Sequence, residues 1–141
     1  MHKIKTGLFI VSLALLSACA SAPKSSLYDK LGGEAGVDKI VNHLVQNIGQ
    51  DKQIFHYFAE ANVTRFKKHL AWHLCDISDG PCDYTGDSMQ LIHDGMEINE
   101  RDFNHLVDLL IDAMYQADVP HHIQNQLLAR LAPLREDIIY R

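Results

Sequence analysis

Strand signals are what this 141-residue sequence most lacks. No segment sustains the alternation of apolar and polar residues that buries one face of a strand, and none carries a hairpin signal, so sheet architectures are excluded and the chain reads all-α. No repeat period is visible, which excludes solenoids. Basic charge is also short: 13 Lys and Arg stand against 18 Asp and Glu, a formal net charge of −5. Nucleic acid, a dense polyanion, is therefore not an expected partner. The apolar run Leu8 to Leu16 is too short for a transmembrane helix, which needs roughly 20 residues. Cysteine is scarce, with Cys19, Cys75 and Cys82 the whole set. What remains is ample for one core: 47% of the residues are hydrophobic, in a length that fits a single domain.

The start of the chain reads as a targeting segment. His2, Lys3 and Lys5 precede the apolar run, and small residues follow it. Leu16-Ser17-Ala18-Cys19 resembles the lipobox of bacterial lipoproteins, which implies cleavage before Cys19 and acylation of that residue. Loss of Lys3 and Lys5 would take the net charge from −5 to −7. Ala20 follows the cysteine where an Asp would retain the protein at the inner membrane. The resemblance thus implies a lipid anchor in the outer membrane, facing the periplasm. The expected division is residues 1–18 as lipoprotein signal peptide, 19–26 as a Ser- and Pro-containing tether with the lipidated cysteine, and 27–141 as the folded domain. In an oxidising compartment Cys75 and Cys82 form a candidate disulfide; two free thiols are the alternative.

Helical periodicity organises the rest. Val37, Ile40, Val41, Leu44, Val45 and Ile48 make an apolar stripe entered through Gly32-Gly33, with His43 off the stripe. A short aromatic segment, Ile54 to Phe58, ends before Asn62, an expected N-cap. Phe66, His69, Leu70, His73 and Leu74 form the next stripe. Ser78 to Gly86 is a loop by its turn residues. Met89, Ile92, His93 and Met96 then share the face of a short helix. Asn99 is expected to cap the following helix, with Asp102 at the capping-box position and Phe103, Leu106, Val107, Leu110, Ile111 and Met114 as its buried side. His105 falls outside that stripe, on the surface. A last helix starts at Pro120 and carries Ile123, Leu127, Leu131, Leu134 and Ile138, bent by Pro133, with His121 and His122 in its exposed first turn.

Three histidines, His69, His73 and His93, therefore lie on apolar stripes. A buried imidazole needs partners for its nitrogens, and a backbone carbonyl or a water is the usual one. The alternative is ligation of a metal. "HLAWH" has Leu70 where a zinc-protease helix needs its Glu, and a three-histidine zinc site would lack polar partners among Phe66, Leu70, Leu74, Ile92 and Met96. Apolar helices that present histidines from two sides suit a flat, largely apolar cofactor with a central metal, namely haem.

Four segments in order, "SLYDKLGGEAGV", "YFAEANVTRFKKHL", "GPCDYTGDSMQLIHDGMEINERDF" and "DVPHHIQNQLLARLAPLRED", resemble the group I truncated haemoglobins over Ser26 to about Ile139. The resemblance implies a two-over-two α-helical globin fold holding haem b, with His93 as the proximal iron ligand. It implies Phe66, Leu70 and Leu74 on the distal side, Met89, Phe103 and Leu106 around the porphyrin, and Lys67, Lys68 and Tyr84 as candidates for the propionates. Gly32-Gly33 matches the family's first glycine pair; the second is half kept, as Asp79-Gly80.

The departures bear on function. Where many relatives carry a distal Tyr and Gln, this chain has Val45 and Leu70, and neither donates a hydrogen bond to bound O₂. His69 lies where some relatives coordinate the iron with a distal histidine. The expected function is reversible binding of a diatomic gas, O₂, NO or CO, extending to nitric oxide dioxygenation with an external reductase, since the chain has no flavin or nicotinamide motif. The alternative is a bis-histidyl haem protein for electron transfer or redox sensing. A non-haem interaction module with structural histidines is a third reading.

Overall fold

The computed structural model describes residues 25–141; the expected signal segment and Cys19 lie outside them. The described residues form six α-helices and two 3₁₀ turns, with no strand. Helix α1 (Leu27–Lys30) begins at a reciprocal cap: the Ser26 hydroxyl accepts from the Asp29 amide, and the Asp29 carboxylate accepts from the Ser26 amide. Ser26 thus belongs to the fold, not to a tether. The turn to α2 (Gly33–Gln50) runs through Gly32 at φ 99°, in the left-handed region that suits glycine.

Helix α2 is the spine of the molecule. Val37, Ile40, Val41, Leu44 and Ile48 are buried on the face that packs against α3 (Val63–Ile77) and α5 (Glu100–Gln116), while Val45 is only partly buried. A 3₁₀ turn, Phe55–Phe58, bridges to α3, whose cap is Asn62 accepting from the Arg65 amide at 2.9 Å. Asn99 caps α5 in the same way, accepting from the Asp102 amide at 3.0 Å.

Asp102 itself departs from the capping-box expectation. Its buried carboxylate accepts from Gln53 at 2.8 Å, Tyr57 at 3.0 Å and the Asn99 side chain at 2.9 Å, tying the 3₁₀ turn to α5. These donors, Gln53 first, hold it below the usual carboxylate range. His105 is a second correction: it is partly buried, with Nε2 2.6 Å from Asp51. Its partner lies 54 residues away, beyond the reach of local periodicity.

The expected last helix ends sooner than its apolar pattern. Helix α6 (His121–Leu131) gives way to a 3₁₀ turn, Ala132–Asp137, because Pro133 supplies no N–H to continue the α ladder; it stops the helix rather than bending it. Helix α4 (Met89–His93) is likewise shorter than the stripe through Met96, since Gly95 at φ 76° turns the chain away. Among the described residues no helix is long and apolar enough to cross a membrane.

Candidate functional site

A cavity of about 490 Å³ opens between α3, α4 and α5, within the ~300–1,000 Å³ usual for small-molecule and cofactor sites. Spacing on α3 decides what faces it. Asn62, Arg65, Phe66, His69, Leu70, His73 and Leu74 fall on one stripe of that helix and all line the cavity. Lys67 and Lys68, named from the resemblance as candidates for the haem propionates, do not line it. At about 100° per residue they are turned away from Phe66, and Arg65 is the cation on the cavity side. The sequence reading passed over Arg65 in favour of the adjacent lysine pair; its place four residues before His69, one turn back on the same stripe, was the available signal.

The other walls are built from α4, α5 and the loop before α4. Met89, Ile92 and His93 line the cavity from α4, and Phe103, Leu106, Val107 and Leu110 line it from α5, with Tyr84 at the loop. Val45 faces instead a smaller apolar cavity of about 120 Å³ beside Phe58 and Phe66. The wall is thus apolar except at a few points.

Those points are Asn62, Arg65, Tyr84, Asp87 and three imidazoles, and the imidazoles differ. His93 Nδ1 lies 2.7 Å from the Met89 carbonyl oxygen. A carbonyl only accepts, so Nδ1 carries the proton and Nε2 keeps a free lone pair. A bond of this kind, from the nitrogen that does not bind the metal, commonly orients ligating histidines. His73 has no hydrogen-bond partner for either buried nitrogen. Burial pushes its pKa below the ordinary imidazole range, against a weaker upward pull from Asp76, so the ring is held neutral. It packs edge-on against Tyr84, ring centroids 5.1 Å apart, and Tyr84 also meets Trp72 at 5.2 Å. Burial, with the Asp87 charge second, raises the Tyr84 pKa and keeps the phenol protonated. His69 lies one turn nearer the N-terminus of α3, partly buried, its ring 6.0 Å from Trp72.

The loop carrying Tyr84 is anchored at its start. Cys75 and Cys82 are disulfide-bonded, with Cα atoms 5.9 Å apart. Arg130 donates to both oxygens of Asp79 and to the Ile77 carbonyl, and the Tyr28 amide donates to the Ser78 carbonyl. Asp79 takes φ 59° in place of a glycine, a conformation Asp tolerates better than most residues. Gly80 is fixed by space: an added Cβ would lie 2.7 Å from both the Cys75 oxygen and its sulfur. Among the described residues no three His, Cys, Asp or Glu side chains converge on a metal-ion site. His69, His73 and His93 therefore do not form a three-histidine zinc centre.

The family model for bacterial-like globins matches residues 26–140. The chain belongs to the bacterial-like globin family. This globin is 28% identical over 126 residues to the group 1 truncated haemoglobin of Mycolicibacterium paratuberculosis, covering 89% of this chain and 93% of that one. It is 27% identical over 115 residues to the corresponding protein of Nostoc sp., covering 82% and 98%. In structure it is similar to the truncated haemoglobin of Tetrahymena pyriformis, with a TM-score of 0.79 at 22% identity over 83% of this chain and all of that one. It is also similar to the 2/2 haemoglobin of a Synechococcus species, solved in the cyanomet state with covalently attached haem, with a TM-score of 0.77 at 21% identity over 83% of this chain and all of that one. The fold is the truncated two-over-two globin fold.

Proposed function

We propose that this globin holds haem b between α3 and α4, bound through His93 Nε2, and uses it to bind a diatomic gas reversibly. The observation that carries this reading is the His93–Met89 bond, which fixes the tautomer with its basic nitrogen free beside an apolar cavity. The remaining donors fit the group: Arg65 and Tyr84 are on the wall to meet its carboxylates, in place of Lys67 and Lys68. Haem, when bound, would supply an iron able to take O₂, NO or CO. Phe66, Leu70 and Leu74 would give the bound gas an apolar surround on the α3 side, Leu70 has no hydrogen bond to offer it, and Val45 faces the smaller cavity. Tight O₂ storage is therefore not the expected role, and turnover of O₂ and nitric oxide to nitrate fits better. A separate reductase would supply the electrons, because the chain has no nicotinamide or flavin motif.

A specific observation also favours internal coordination. His69 lines the cavity from α3 on the stripe shared by Phe66 and Leu70, so its imidazole is the group available as a sixth ligand, and a bis-histidyl electron-transfer or redox-sensing role would follow. The absorption spectrum of the ferrous haem-loaded protein, with and without CO, separates the two. A low-spin spectrum that becomes high-spin in His69→Leu supports the internal ligand; a high-spin wild type with single-phase CO binding supports the open site. Failure to develop a Soret band with hemin would overturn both.

The lipobox at Leu16 to Cys19 supports anchoring to the outer membrane on the periplasmic side. Cys19→Ser should move the protein from the membrane to the soluble fraction or leave uncleaved precursor, since acyl chains contribute about 0.8 kcal/mol per buried methylene. Equal solubility of wild type and variant would refute the anchor.

A further inference from the structure

Helix α4 holds His93 but is five residues long, well below the ~12–15 at which an isolated helix begins to persist. Its orientation must come from its surroundings. The Ser88 hydroxyl caps its start, accepting from the Leu91 amide. Every other polar tie to a distant element among the described residues comes from the C-terminal end of the chain. Gln90, one turn before His93, donates to Asp137 at 2.7 Å. After His93 the chain turns through Gly95, and Glu97 and Ile98 beyond the turn are clasped. The Glu97 amide donates to the Arg141 carbonyl at 2.7 Å, and the Tyr140 amide donates to the Ile98 carbonyl at 2.8 Å. Both sides of this clasp carry a non-glycine residue in the left-handed region, Glu97 at φ 49° and Tyr140 at φ 56°. Such conformations persist only where the surroundings over-determine them. Packing agrees, since α4 rests on the 3₁₀ turn Ala132–Asp137 that feeds the clasp.

We propose that residues 137–141 form a strap that positions His93: Asp137 and the Tyr140 amide are positioning groups that set the orientation from which His93 Nε2 binds the iron. The inference rests on the haem reading above. The strap ties down α4 before and after the histidine, so its release leaves the ring hydrogen-bonded to Met89 but on a helix free to tilt.

Two pairs of variants test this outside the cavity wall. Tyr140 is 66% exposed, so its side chain contributes little packing. Tyr140→Pro removes the N–H and forces φ to about −65°, whereas Tyr140→Gly keeps the N–H and accepts a positive φ. Asp137→Ala removes the acceptor for Gln90, whereas Asp137→Asn keeps it. The readout in haem-loaded protein is the iron–histidine stretching band of the CO photoproduct, which reports the proximal bond whatever the sixth ligand is. Tyr140→Pro and Asp137→Ala should shift and broaden this band and speed haem loss several-fold, while Tyr140→Gly and Asp137→Asn keep wild-type values. In haem-free full-length protein the Ile92 and Met96 amides should exchange faster in the first pair only. Wild-type bands and exchange in Tyr140→Pro would overturn the strap, as would equal effects in both members of a pair. A band unmoved in His93→Gly would instead overturn the assignment of His93.

Discussion

The α3 and α4 walls of the cavity each present a buried or half-buried imidazole, and only one is provided for. On α4, His93 has one nitrogen satisfied by a carbonyl four residues back and the other left free. On α3, His73 has two buried nitrogens and no partner, on a helix stapled by a disulfide to the loop above it. The difference separates preparation from tolerance. A group oriented by one bond and left open at the other end is built to bind, whereas a group with neither bond lowers stability and is held in place by its neighbours.

Removing the staple should have the largest effect on stability. Reduction, or Cys75→Ser with Cys82→Ser, should cost about 2–3 kcal/mol in the chain-entropy model for so short a loop. It would release Tyr84 from over His73, and thermal unfolding of oxidised and reduced protein checks it. An unchanged melting temperature would mean that Arg130 and Tyr28 alone hold the loop.

Replacing His73 should work in the other direction. His73→Leu removes an unsatisfied buried polar group at similar volume and should stabilise the haem-free protein by about 1–2 kcal/mol. The folded pKa of His73 lies below its unfolded value of about 6.5, so the unfolded chain binds more protons as pH falls through that value. Wild-type stability should therefore decline from about pH 6.5 downward, and this part of the decline should be absent in His73→Leu. Denaturant melts at a series of pH values measure both, and a destabilised variant would contradict the unsatisfied state of the ring.

How much of this contrast was legible before the structure follows from distance along the chain. Stripes at helical spacing put Phe66, His69, Leu70, His73 and Leu74 on one face, and Asn62 and Asn99 announced two helix starts; these are local signals. The His93–Met89 bond spans four residues and was within reach of the same reasoning. The His105–Asp51 pair, the Asp102 network and the clasp of Tyr140 on Ile98 span some 40 residues or more, and no periodicity encodes them. Pro133 was misread because a proline that kinks a helix and one that ends it look alike in sequence; here the α ladder stops at Leu131.

A smaller effect belongs to the two carboxylates that tie the segment after α2 to α5. Asp51 is held low, chiefly by the hydrogen bond from His105, and Asp102 chiefly by that from Gln53. Both folded pKa values lie below the unfolded ones, so their stabilisation is complete above the ordinary carboxylate range and is lost as pH falls below about 4. Asp102→Asn should flatten this acid limb without altering the one near pH 6.5, and acid titrations followed by circular dichroism distinguish the two.

If His93 is the imidazole prepared to hold iron, substitution followed by rescue will reveal it. His93→Gly, loaded with hemin and reduced, should retain haem poorly and lose the wild-type ferrous spectrum. Added imidazole should restore much of that spectrum by filling the space the side chain left. A His93→Gly protein with wild-type haem affinity and an unchanged spectrum would contradict the account.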